Sequence, residues 1–244
     1  MSKVDAVLGF VNPDSFYELM NKQAQRVIEW NKTFRNGDEN FTYKDKRTQT
    51  NLVIEEADEL LKALNEDDVI ETIDAICDLF VVASYLIYIH NKNKNVWDFI
   101  RDKTSLVVYK DRDDIETEID NLCCSITDCD TLVIPVNVEV ILNLILSLPK
   151  DRDYLTEVLE SNDSKFLKVS EYSHMGKKAL KEMLEAECHD IEVRNEFRYT
   201  GVKYYFVGDY IVFRDSNGKL MKPFTFHPPK FNLDMLENSV DYKA

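Results

Sequence analysis

The chain has 244 residues, 44% of them apolar, and sets 30 Lys and Arg against 45 Asp and Glu for a formal charge of −15. That length and apolar content exclude a disordered chain and suffice for one large domain or a domain with an appendage. The negative charge repels nucleic-acid duplexes and anionic membranes at long range, so neither is expected as a partner, and any phosphate ligand has to meet local cations.

The opening MSKVDAVLGF has neither the basic region nor the sustained apolar stretch of a secretory signal, which predicts a cytoplasmic protein. A first helix is expected after a cap at Asp14 or Ser15, with Phe16, Leu19, Met20, Val27, Ile28 and Trp30 on its core side. RNGDENFTYKDKRTQT, residues 35–50, reads as a loop that brings Lys44, Lys46 and Arg47 up to an acidic segment. Two helices over 51–64 and 67–90 follow, split by NEDD, whose acids suit the positive end of the second helix. They predict an antiparallel hairpin.

Residues 91–150 read as an insertion, with helices in NVWDFIRDKTSLVVY and VNVEVILNLILSLP around an acidic, cysteine-bearing middle. Cys77, Cys123, Cys124, Cys129 and Cys188 are odd in number, which argues for reduced thiols over a disulfide framework. The cluster at 123–129 lacks the second spaced pair of a zinc site. DRDYLTEVLESNDSKFLKV resumes helical spacing, and a further helix lies around 177–187. Alternating aromatic and β-branched residues in VKYYFVGDYIVFRDSNGKLMKPFTF, with turns at Gly208 and Asn217-Gly218, predict a small β-meander. The expected fold is mainly α, a helical bundle over 1–170 with an α+β appendage over 171–244.

The segment NLVIEEADELLKALNEDDVIETIDAICDLFVVASYLIYI raises the central chemical question. At about 100° per residue, Glu71, Asp74 and Asp78 fall within roughly 60° on one helix face, and Glu56 and Glu59 share a face of the other. Glu55 either completes that stripe or lies at its solvated edge. The second helix is apolar nearly all round, the pattern of a buried helix, and no Lys or Arg lies between Asn65 and Ile89 to neutralise its acids. Carboxylates in such a place need protons, cationic partners or metal. An all-oxygen set favours Mg²⁺, with Mn²⁺ as a substitute. A di-iron bundle would need Glu-x-x-His repeats that His90, His174, His189 and His227 do not form, and DRDDIETEID lacks the glycine and ligand periodicity of a calcium loop.

EEADE followed by ETIDAICD resembles the Glu-Glu-x-x-Glu, then Glu-x-x-Asp, signature of the MazG-like all-α nucleoside triphosphate pyrophosphohydrolases, a superfamily with dimeric dUTPases and phosphoribosyl-ATP pyrophosphohydrolases among its members. VLESNDSKF is similar to a Ser-Asn-x-Ser-Lys-Phe segment of phage-type members, and GDYIVFRDSNGKLMKPFTFHPPKF to their C-terminal tail. The resemblance implies a metal-dependent hydrolase that splits a nucleoside triphosphate, a dNTP first among the choices, into monophosphate and pyrophosphate. It implies metal ligands at Glu56, Glu59, Glu71 and Asp74, with Glu55 and Asp78 supporting them or a second ion. Asp74 with Asp78 is an alternative register for the second pair. Glu55 or Glu56 would position the attacking water or take its proton, and Asn162 and Lys165 would contact the nucleotide. A homodimer or higher homo-oligomer and, for a phage-encoded chain, a host-cytoplasmic location are expected. The rival expectations are a phosphoribosyl-nucleotide substrate and an inactive helical binding protein.

Overall fold

The computed structural model describes residues 13–101, 106–109, 112–127, 138–148 and 153–231; Cys129 lies outside them. It is mainly α-helical with a small antiparallel sheet near the C-terminal end. Helix α1 spans Pro13–Phe34, and a proline in the first turn costs nothing because its missing N–H would have had no helical acceptor. Phe16, Tyr17, Met20, Ala24, Val27 and Ile28 form its buried stripe, while Leu19, expected in the core, is 45% exposed.

Helix α2 runs Tyr43–Asn65, eight residues longer at its start than its apolar periodicity predicts. The reason is a capping box. The Thr42 hydroxyl accepts the Asp45 N–H at 3.2 Å, and the Asp45 carboxylate accepts the Thr42 N–H at 2.7 Å, so two N–H groups that a helix start leaves open are satisfied together. Lys44, Lys46 and Arg47 therefore belong to the first turns of α2 and not to a loop.

Helix α3, Val69–Asn91, starts where the Asp68 carboxylate accepts the Glu71 N–H at 3.1 Å. Between α2 and α3 the chain turns in three residues, with Asp67 in the left-handed region at φ 53°. The two helices pack antiparallel through Val53, Ala57, Leu60 and Ala63 on one side and Ile73, Ile76, Phe80 and Ala83 on the other. Alanines at three of these positions let the backbones approach closely. By length and composition α3 could cross a membrane, but most of its apolar surface is buried within the protein.

Beyond α3 the Trp97 ring stacks on Phe80 at 5.5 Å, its indole N–H donates to the Ser84 hydroxyl at 3.2 Å, and its backbone N–H donates to Asn21 at 2.9 Å. The helix expected there shrinks to α4, Asp98–Arg101, and the described residues 106–109 are irregular. Helices α5, Arg112–Thr127, and α6, Glu139–Ser147, lie further along the insertion. Helix α5 packs against α2, and α6 against α3 and α5.

The chain divides into two compact units, one made of 1–29, 39–158 and 230–244, the other of 30–38 and 159–229. Helix α7, Tyr154–Asp163, leads into the second unit, which holds β1 (Leu167–Lys168), a 3₁₀ turn (Val169–Tyr172), α8 (Lys177–Arg194), β2 (Lys203–Val207) and β3 (Tyr210–Arg214). The sheet order is β1-β3-β2, all antiparallel. It is a hairpin with a strand from before α8 added, and not the expected meander, because the segment after Asn217-Gly218 returns only as a single bridge from Leu220 to Arg214.

Gly208-Asp209 forms the two-residue turn between Val207 and Tyr210, with Gly208 at φ 56°, and that geometry makes 203, 205 and 207 the hydrogen-bonded positions toward β3. Two outward N–H groups on this side are met by α8. Glu192 accepts from Val202 at 2.9 Å, and the Cys188 sulfur accepts from Tyr204. Burial, more than the nearby Glu187, pushes the Cys188 thiol up to about 11.

Candidate functional site

Glu56 is the centre of the acidic group. It lies half-buried on α2, and Asp74 and Asp78 lie half-buried on α3; Glu55, Glu59 and Glu71 are exposed. Loss of solvent, and then the charges of Asp78, Glu59, Asp74 and Glu55, push the Glu56 carboxyl up to about 8. Four of its five expected partners thus act on it directly. Glu71 is not among them, because it sits in the exposed first turn of α3, where its backbone N–H serves the Asp68 cap. The structure groups Asp78 with Asp74 around Glu56 more closely than it groups Glu71.

The reason is the hairpin geometry. In an antiparallel pair closed by a turn at 66–68, residue 56 lies opposite residue 78, and residues 59 and 74 lie one turn nearer the loop on the same sides. Two turns the other way along α2, the buried Gln49 amide donates to the Val82 carbonyl at 2.8 Å and fixes the helices in that register.

The donor set consists of hard carboxylate oxygens, the chemistry that suits Mg²⁺ or Mn²⁺. Its charges repel one another, and a bound cation or a proton on Glu56 would relieve that repulsion. Among the described residues, however, no group of three His, Cys, Asp or Glu side chains is drawn together tightly enough to hold a metal ion. The protein presents an acidic stripe of the right chemistry, not a closed coordination cage.

Two further groups, Cys77 and Asp153, border these acids without any sequence pattern that links them to the carboxylates. Cys77 is fully buried between Asp74 and Asp78, and burial, followed by the charges of Asp78, Asp74 and Asp153, raises its thiol well above its ordinary range. Asp153 caps α7 by accepting the Thr156 N–H at 3.1 Å and its hydroxyl at 2.6 Å. Its sequence signal was the Asp-x-x-Thr spacing of a helix start, which says nothing of the helix it stands beside.

Asn162 and Lys165 belong to the second unit. The Lys165 ammonium donates to the Asn162 side-chain oxygen at 2.5 Å and lies 5.9 Å from the Trp30 ring, whose indole N–H donates to the Asn162 carbonyl at 2.9 Å. Trp30 in turn stacks on Phe166 at 5.0 Å. Ser164 ties this turn to the tail, accepting from the Thr225 hydroxyl and the His227 N–H, each at 3.2 Å. The Ser-Asn-x-Ser-Lys-Phe turn and the tail are therefore one local structure.

Residues 15–98, about a third of the chain and the part that contains α2 and α3, match the family model described as Phosphoribosyl-ATP pyrophosphohydrolase, one of the MazG-like all-α NTP pyrophosphohydrolase families. Members of that family are pyrophosphohydrolases acting on phosphoanhydride bonds. No curated protein and no solved structure matches the chain.

Proposed function

We propose that the protein hydrolyses a nucleoside triphosphate, a deoxynucleoside triphosphate first among the candidates, to the monophosphate and pyrophosphate. The observation that carries this reading is the carboxylate group around Glu56, built by a helical hairpin that lies inside the segment matching a pyrophosphohydrolase family. In the proposal Glu56, Glu59, Asp74 and Asp78, with Glu71 at the edge, hold Mg²⁺ or Mn²⁺. A bound divalent ion neutralises phosphate oxygens and lowers the pKa of a coordinated water. Glu55 or Glu56 orients that water toward the α-phosphorus and takes its proton on a carboxylate oxygen. The buried floor of Ala57, Ile73 and Cys77 keeps bulk water from the inner side of the group.

A second reading, hydrolysis of phosphoribosyl-ATP, is favoured by the description of the matched family. One panel tests both: deoxynucleoside and ribonucleoside triphosphates and phosphoribosyl-ATP, each incubated with Mg²⁺ and resolved by product. Monophosphate plus pyrophosphate from a triphosphate is the expected outcome. Diphosphate plus phosphate, or no turnover of any of them, would reject the assignment.

Metal dependence follows from the donor set. Chelation is expected to abolish turnover, Mg²⁺ or Mn²⁺ to restore it, and Ca²⁺ alone to fail; full turnover in excess chelator would remove metal from the mechanism. Lys165→Ala is expected to weaken triphosphate affinity by about tenfold with little change in melting temperature, the size of one lost charged contact. Steady-state kinetics of the folded variant check this, and wild-type values would make Lys165 only a partner of Asn162.

A further inference from the structure

The second unit contains a set of cations with no acidic partners. Leu159–Pro229 carries eleven Lys and Arg against eleven Asp and Glu, so it has no share in the −15 of the whole chain. Within it Lys203 and Arg214 are directly opposite in the β2–β3 ladder. Side chains so paired project from the same sheet face with β-carbons about 5 Å apart, and like charges there are destabilising.

Arg198 and Lys219 lie at the same end of the hairpin, where the Ser216 N–H donates to the Thr200 carbonyl at 3.0 Å, but beside Tyr199, which packs on the Ile211 and Phe213 side of the sheet. Both lie over the Tyr199 ring, at 5.5 and 4.7 Å. Among the described residues none of these four cations forms an ion pair. Two acids of the same segments are committed to the backbone: the buried Asp215 accepts from Asn217 and Lys219 at 2.9 and 2.8 Å, and Glu192 accepts from Val202. On the face of Lys203, two residues further, Tyr205 is 43% exposed; the Arg214 guanidinium lies 5.5 Å from its ring and 4.4 Å from the Phe34 ring, and donates one N–H to the Phe34 carbonyl.

We infer that this end of the β2–β3 hairpin binds a nucleotide phosphate, with an unpaired base stacked on Tyr205. A phosphate at Lys203 and Arg214 offsets the repulsion built into the ladder, and an exposed ring beside cations is the platform on which unpaired bases stack. A duplex does not fit, because its bases are already stacked on each other. The phosphate and base can come from single-stranded nucleic acid or from a free nucleotide.

The test is fluorescence anisotropy of a labelled oligothymidylate with the full chain in excess chelator, at low and moderate salt, with unlabelled ATP as competitor. Saturable binding that weakens with salt is expected; displacement by ATP assigns the free nucleotide, and its absence assigns the polymer. Lys203→Glu is expected to weaken binding at least about tenfold, since it reverses a phosphate contact, and Tyr205→Ala by about tenfold through lost stacking. Lys203→Glu places an acid opposite Arg214, so its melting temperature should hold or rise, which separates lost binding from lost fold. Asp74→Asn is expected to bind like the wild type. Failure of the oligothymidylate to bind, undiminished binding by Lys203→Glu, or loss of binding in Asp74→Asn would each overturn the inference.

Discussion

Glu59→Gln and Asp74→Asn are each expected to lower pyrophosphate release more than about 100-fold, since even the groups that merely orient metal ligands are worth 10- to 100-fold. The replacement keeps the side-chain volume and removes one negative charge from the group that acts on Glu56. Neither change opens a cavity, because Glu59 is exposed and Asp74 half-buried. The fold should therefore survive, and without metal it should gain stability as repulsion falls. Pyrophosphate release and thermal melting, with and without Mg²⁺, give a fourfold comparison for each variant. A catalytic carboxylate yields a folded protein that neither turns over nor gains stability from Mg²⁺. A solvated stripe yields ordinary turnover and a stability change within about 0.5 kcal/mol, and that result would remove both residues from the site.

In chelator the wild-type protein is expected to lose stability as pH rises from about 5 to 8, and Glu56→Gln to lose much less. The sign follows from proton counts. The unfolded carboxyl releases its proton near its ordinary value of 4.5, whereas the folded one keeps it until about 8, so between those values the unfolded state binds fewer protons. Rising pH then favours unfolding across that window. Below it both states are protonated, and the penalty is absent. The effect is on the order of a few kcal/mol, and subtracting the Glu56→Gln melting curves from the wild-type curves isolates it from other titrations. Among those is His90, whose pKa is lowered by burial and then by Lys46 and whose contribution has the opposite sign. Parallel curves for the two proteins would show that Glu56 ionises normally and that the acids do not crowd it.

The hairpin was legible in the sequence because two signals coincided there: apolar positions at helical spacing and a short acidic break that suits a helix start. The same spacing put Glu56 and Glu59 on one face and Glu71, Asp74 and Asp78 on another; of these, Glu71 is exposed and does not act on Glu56. What periodicity could not show was set by single polar residues. Thr42 and Asp45 extend α2 backward through a charged stretch with no apolar face. The charge of Asp153 acts on the Cys77 thiol from 76 positions away in sequence, a proximity that no local pattern encodes. Alternating aromatic and β-branched residues mark β2 and β3, but their neighbour β1 is only two residues long and carries no alternation to detect. Leu19 failed as a core residue because helical spacing defines a stripe wider than the surface that finally covers it.

Cys188 and Glu192 are four residues apart on α8 and meet Tyr204 and Val202, two residues apart on the strand side. Four helical residues rise about 6 Å and two strand residues about 6.7 Å, so one helix face can supply acceptors at nearly the repeat of a β-ladder. Helix α8 thus stands in for a fourth strand, running antiparallel to β2 with side chains in place of carbonyls. It occupies donors that would otherwise recruit another extended chain. Two donors on this edge are thus met inside the fold, which shortens the stretch of β2 open to another extended chain.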